Sequence, residues 1–155
     1  MRLFPVALGT CFMLAMLPAH ARDSAVEARL DARGMKYEVD ADGDYRMIVS
    51  YSAEKRTQLV FVSGSTESIE GLVVREVFSP VAKLGTHGIA GKALELLKES
   101  RKFKIGACEV GGDMLYYVIK LPDNIDAAQL AAAVSIAAEN ADNKEIQLTA
   151  GKDEF

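Results

Sequence analysis

The sequence has no Trp, only two Cys, two His and four Pro, in 155 residues. Cys11 and His20 fall in the first 21 residues, which read as a removable leader, so Cys108 and His87 stand alone in the remainder. A lone thiol excludes a disulfide framework within one chain, and one Cys with one His cannot build a zinc site. Most relays built on His lack parts for the same reason. Basic charge is also short, with 18 Lys and Arg against 22 Asp and Glu. Removing the leader takes away Arg2 alone, leaving 17 against 22 and a formal charge of −5. That balance carries no footprint for nucleic acid. The densest basic stretch, 98–104, contains Glu99 and falls where a helix should end, where cations complement the helix dipole. Half the residues are apolar, too many for a disordered chain.

What is present begins with the leader. Arg2 precedes an apolar run over 3–17, interrupted by Pro5, Gly9 and Thr10, and Pro18-Ala19-His20-Ala21 follows. Small residues at −3 and −1 and a polar Arg22-Asp23-Ser24 beyond complete the pattern of a secretory signal peptide cleaved after Ala21. The 15-residue run is short of the roughly 20 a spanning helix needs. Leu8-Gly9-Thr10-Cys11 is a poor lipobox and lies too close to Met1. The expectation is a leader at 1–21 and one domain at 22–155. After cleavage that domain is periplasmic or secreted and not stably inserted in a membrane.

Patterning along 22–155 predicts an α+β domain. A short helix opens at a Ser24–Glu27 capping box and ends near Gly34. Alternation at 35–39, an Asp42-Gly43 turn, and runs at 45–51 and 57–62 predict a three-strand antiparallel meander. Residues 63–71 read as loop, and 72–78 fits strand or helix until Ser79-Pro80 breaks it. A second helix is expected over 87–102, and strands at 103–110 and 113–121 meet at Gly111-Gly112. Pro122-Asp123 then stops the strand and caps a final helix from about 125 to 141 or beyond. The prediction is one antiparallel sheet of about five strands with three helices, in the order α-β-β-β-(β)-α-β-β-α.

Three constellations carry candidate chemistry. Asp40-Ala41-Asp42-Gly43-Asp44 opens like a calcium loop, but positions six and twelve from Asp40 are Tyr45 and Tyr51, where the EF-hand needs Gly and Glu. A turn between strands explains the same residues. Cys108, between Ala107 and Glu109 on a predicted strand, reads as a buried small hydrophobe; the alternative is a nucleophilic or redox thiol working with His87. Eight of the fifteen residues from 127 to 141 are Ala, a smooth face for close packing on the sheet or, alternatively, for a partner. Lys152-Asp153-Glu154-Phe155 reads as a solvated tail with an apolar anchor.

Weak motifs run over nearly all of 22–155: Gly34-Met35-Lys36-Tyr37 before Asp42-Gly43-Asp44, Arg56-Thr57-Gln58, and Arg75-Glu76-Val77-Phe78-Ser79. Lys104-Ile105-Gly106-Ala107 and Ala141-Asp142 complete the set. In layout and in these motifs the chain resembles the YbjN-like proteins of the type III secretion chaperone-like fold. The resemblance implies dimeric binders of extended polypeptide, without catalysis and without a cofactor. The resulting expectation is an exported, non-catalytic protein- or peptide-binding module, chaperone-like or regulatory. It has no catalytic, cofactor or metal residues, no cofactor and no nucleic-acid partner, and it forms a homodimer. The alternative is a small hydrolase or redox enzyme using Cys108 and His87.

Overall fold

The computed structural model describes residues 22–86 and 88–155, so the leader read at 1–21 and His87 lie outside the described residues. In chain order the elements are α1 (Ser24–Asp31), β1 (Glu38–Val39), β2 (Tyr45–Tyr51), β3 (Arg56–Val62), β4 (Glu67–Ile69) and β5 (Leu72–Lys83). A 3-10 turn (Ile89–Lys92), α2 (Ala93–Ser100), β6 (Ala107–Gly111), β7 (Met114–Pro122) and α3 (Ala127–Thr149) follow. All strands join one antiparallel sheet in the order β1-β2-β3-β5-β7-β6, with β4 paired to β5 beside that path. The α+β class and the three helices stand, but the sheet has seven strands where the sequence suggested about five.

Both added features come from backbone chemistry that side-chain pattern hides. The loop expected over 63–71 contains β4, whose residues are all exposed, so no buried alternation marks it. It folds back on β5 through Glu70 and Gly71, both at positive φ, the geometry of a two-residue hairpin turn. The 72–78 segment is strand and continues to Lys83, through the Ser79-Pro80 that was expected to end it. Pro80 is tolerated because the register slips between Pro80 and Ala82, a bulge, and because its carbonyl faces β3. Its missing N–H therefore points where β3 makes no ladder bond. The first strand contracts to Glu38–Val39, and the sixth starts at Ala107, after Gly106 at positive φ.

One set of strand side chains turns to the core. Tyr45 and Met47 of β2, Gln58, Val60 and Val62 of β3, Val77 of β5 and Leu115, Tyr117 and Ile119 of β7 point to one buried face. α3 lies across β3, β5 and β7 on that face, with α1 packed against it. Ala133, Ala137, Ala138 and Ala141 are buried there, so the Ala-rich surface serves close packing on the chain's own sheet. Its N-cap is Asp126, in a reciprocal capping box with Gln129, three residues past the Asp123 expected to cap it. Likewise Asp23, not Ser24, caps α1. Asp123 instead closes on Arg75, a buried guanidinium that also takes the second carboxylate oxygen of Asp23 and donates to the Ser63 carbonyl. Among the described residues no helix is long and apolar enough to cross a membrane.

Candidate functional site on the open face of the sheet

Helices α1 and α3 cover one face of the sheet, and the opposite face carries aromatic side chains with no helix over them among the described residues. Phe61 of β3 and Phe78 of β5 are directly opposed in the ladder, and their rings stack with centroids 5.1 Å apart and planes 8° apart. Tyr116 of β7 meets Phe78 edge-on at 5.8 Å. Such pairs exceed their burial in worth by about 0.5–1.5 kcal/mol. With Leu59, Pro80 and Met114 they line a groove of about 490 Å³, bounded by Asp40, Asp42 and Asp44 and by Phe155.

The groove exists because β3 and β5 part. They pair only at Phe61–Phe78 and Val62–Val77. Beyond that, the Gln58 side-chain amide bridges the gap, donating to Ser79 Oγ at 2.9 Å and to the Pro80 carbonyl at 2.7 Å. Ser79 Oγ donates in turn to the Leu59 carbonyl. The segment 151–155 enters the same gap parallel to β3. Thr57 N–H donates to the Asp153 carboxylate at 3.4 Å, and Leu59 N–H donates to the Phe155 carbonyl at 3.1 Å. The tail read as solvated is thus hydrogen-bonded into the sheet, while its apolar anchor is present as Phe155.

Arg56 organises the base of this segment. Its Nε lies 2.7 Å from Asp142 Oδ1, one Nη 2.6 Å from Glu145 Oε2, and the other Nη donates to the Gly151 carbonyl. Burial disfavours the guanidinium charge, but Asp142, Glu145 and Asp153 outweigh it and raise the Arg56 pKa. Burial pushes the Glu145 carboxyl up, against the Glu154 N–H that donates to it and against Arg56. Asp142, Glu145 and Asp153 bring carboxylate oxygens within 4.8 Å of one another, a spacing that suits a cation. The Arg56 guanidinium already supplies that charge.

The residues singled out from sequence fare differently. Asp40 Oδ1 accepts from the N–H groups of Asp42 and Asp44, and Asp44 Oδ1 accepts from Gly64 N–H. These carboxylates build the turn. Gly64 is forced there, since a Cβ would sit 2.0 Å from the Gly43 carbonyl oxygen. Cys108 is buried beneath α2, and burial pushes its thiol pKa up, opposed by the Ser100 hydroxyl. A thiol so placed is a poor nucleophile at neutral pH. A thiol reagent should therefore modify the folded protein far more slowly than the urea-unfolded chain. Equal rates would keep the enzyme alternative alive. Cys108 also borders a second, apolar groove of about 590 Å³ between α2 and β6.

Over 81% of this chain and 89% of the other, the structure superposes on YbjN from E. coli, a proposed transcription regulator, with a TM-score of 0.51 at 13% identity. The fold is YbjN-like. No protein-family model and no curated protein matches the chain. Within this YbjN-like fold the quoted motifs acquire roles: Arg56 grips Asp142, Gln58 grips Ser79, and Phe78 centres the aromatic groove. Sequence reading missed the groove itself. Its signal was an apolar residue on both faces of consecutive positions, Leu59-Val60-Phe61-Val62 and Val77-Phe78, which marks a sheet apolar on both sides.

Proposed function

We propose that the protein is a non-catalytic module that binds an extended protein or peptide segment in the aromatic groove of the open sheet face. The observation that carries this reading is the segment 153–155, which lies extended along β3 with Phe155 lining the groove. Main-chain donors at the parted strands give affinity for any extended chain, and the Phe61–Phe78–Tyr116 cluster selects an aromatic anchor. Asp40, Asp42 and Asp44 at the rim favour a cation in the ligand and make binding salt-sensitive. The buried, raised thiol of Cys108 supports the non-catalytic side of the reading. A regulatory role extends the description of YbjN to this chain, and a chaperone-like one extends the implied resemblance.

The test is a panel of labelled extended peptides, each with one aromatic residue and a nearby Lys or Arg, titrated with residues 22–155. Aromatic-bearing peptides should bind, and Phe78→Ala should weaken them about tenfold, near 1.4 kcal/mol. Leu97→Ala, at the other groove, should leave binding unchanged. No binding by any peptide, or equal binding by Phe78→Ala, removes the reading.

Export and self-association belong to the same proposal. Arg2, the apolar run and Ala19-His20-Ala21 support cleavage to a periplasmic or secreted product, whose first residue by mass spectrometry should be Arg22. β6 is a terminal strand of the sheet, and Val110 and the neighbouring Leu97 are 63% and 65% exposed. Pairing of two chains along that edge would cover them. Light scattering should then give the mass of two chains.

A further inference from the structure

The segment 151–155 runs beside β3 and makes one main-chain hydrogen bond to it, Leu59 N–H to the Phe155 carbonyl. On β3 the donors are the backbone N–H groups of Leu59, which meets main-chain oxygen and is indifferent to residue identity, and of Thr57, which meets a side-chain carboxylate. Two features of the occupant are read by side chains. Asp153 presents its carboxylate to Thr57 N–H with an Arg56 Nη 3.8 Å away, and Phe155, two residues on, borders the Phe78–Tyr116 groove. Against β5 the segment has no ladder, because Gln58 and Ser79 close that side. Asp153 and Phe155 both keep part of their surface exposed. On its α3 side the segment is held by Glu154 N–H to Glu145 Oε1 at 2.7 Å and by the Thr149 hydroxyl to the Lys152 carbonyl. A seat made of main-chain donors, one cation, a carboxylate that accepts from the occupant's backbone and an aromatic wall suits exchange of one strand for another.

We infer that residues 152–155 occupy in cis the site at which a partner polypeptide docks, and that the partner carries the same chemistry: an extended segment with a carboxylate two residues before an aromatic side chain. This rests on the groove being a peptide site and adds the ligand class and a built-in competitor. The tethered segment lowers apparent affinity by the fraction of time the seat is open. A seat occupied nine-tenths of the time makes partner binding about tenfold weaker than in a chain without the segment.

The experiment compares the full chain with one shortened to end at Gly151, using a labelled peptide of residues 150–155 in trans. The shortened chain should bind the peptide, and the full chain should bind it at least about tenfold more weakly. Exchange protection of the Leu59 amide should fall on shortening and return when the peptide is added. A peptide carrying Phe155→Ala should not restore it. A shortened chain that is folded by circular dichroism yet ignores the peptide overturns the inference. If that chain still binds members of the aromatic peptide panel, the groove reading stands alone; if it binds none, both fall. Should the shortened chain not fold, full-length Phe155→Ala replaces it with the same expected gain, and unchanged affinity overturns the inference. A doubled mass for the full chain but not for the shortened or Phe155→Ala chain places the segment in a second copy, which also overturns the cis assignment.

Discussion

Replacing Arg56 by Ala should cost about 3–5 kcal/mol of folding stability, because it deprives buried carboxylates of the cation that pairs with them among the described residues. Glu145 is wholly buried and Asp142 nearly so, and Arg56 lies 2.6 and 2.7 Å from them. The loss in Tm should be on the order of 10 °C, read by calorimetry or a urea midpoint. The sign of the pH effect follows from Glu145, whose carboxyl is already raised above its ordinary 4.5 by burial. A carboxyl raised in the folded state contributes stability below its unfolded pKa and loses it as pH climbs through the folded value. Without Arg56 the carboxyl rises further, so the variant should be hurt more at pH 7 than at pH 5. In a Glu145→Gln background the same Arg56→Ala change should cost less, with a coupling of about 1–3 kcal/mol. A cost under 1 kcal/mol, or a deficit that grows in acid, would show that Arg56 does not hold the helix to the sheet.

Arg56 also shows which parts of the molecule sequence can carry. Tyr45, Met47, Val49 and Tyr51 share one face with Ile48 the apolar exception on the other, and the strand forms with the same limits because the first face turns to the core. The Asp42-Gly43 turn follows from the positive φ that Gly43 adopts. The Ala-rich helix follows from propensity and close approach. Each of these is a local rule. The parting of β3 from β5 is not local: it needs Gln58 to reach Ser79 across 21 residues and Pro80 to sit at a bulge. Pro80 read alone means a strand end, and only the partnerless side of β5 reverses that meaning. Caps were displaced for a similar reason. Asp123 looked like the cap of the last helix, yet Arg75, 48 residues away in sequence, recruits it, and Asp23 caps α1 where Ser24 was expected while giving its other oxygen to Arg75. The aromatic groove lay in plain view as paired apolar residues on both faces of two strands. What pattern could not supply was that α3 covers one face only.

Arg75 carries the second large expected effect. Its guanidinium ties three distant points: Asp23 before α1, the Ser63 carbonyl after β3, and Asp123 between β7 and α3. Arg29 reaches the same Asp123 with its side chain at 3.2 Å and adds bonds to the Asp123 and Ile125 carbonyls. Burial alone would raise the Asp123 carboxyl, but Arg75 first and Arg29 second hold it below its ordinary 3.8. Arg75→Ala should cost about 2–3 kcal/mol, less than at Arg56, because Arg29 remains and both carboxylates keep about a quarter of their surface in water. A carboxyl lowered in the folded state contributes stability above its unfolded pKa and loses it as pH falls through the folded one. The gap between wild type and Arg75→Ala should therefore be widest near pH 7 and should narrow below about pH 4 as Asp123 takes up its proton. Urea midpoints at pH 7 and pH 3 measure both numbers. Because α1 is fixed at Asp23 by this same guanidinium, amide exchange in α1 should accelerate in the variant while the strands of the aromatic groove stay protected. Uniform acceleration across the sheet would mean that Arg75 supports the whole core and not the junction of its three ends.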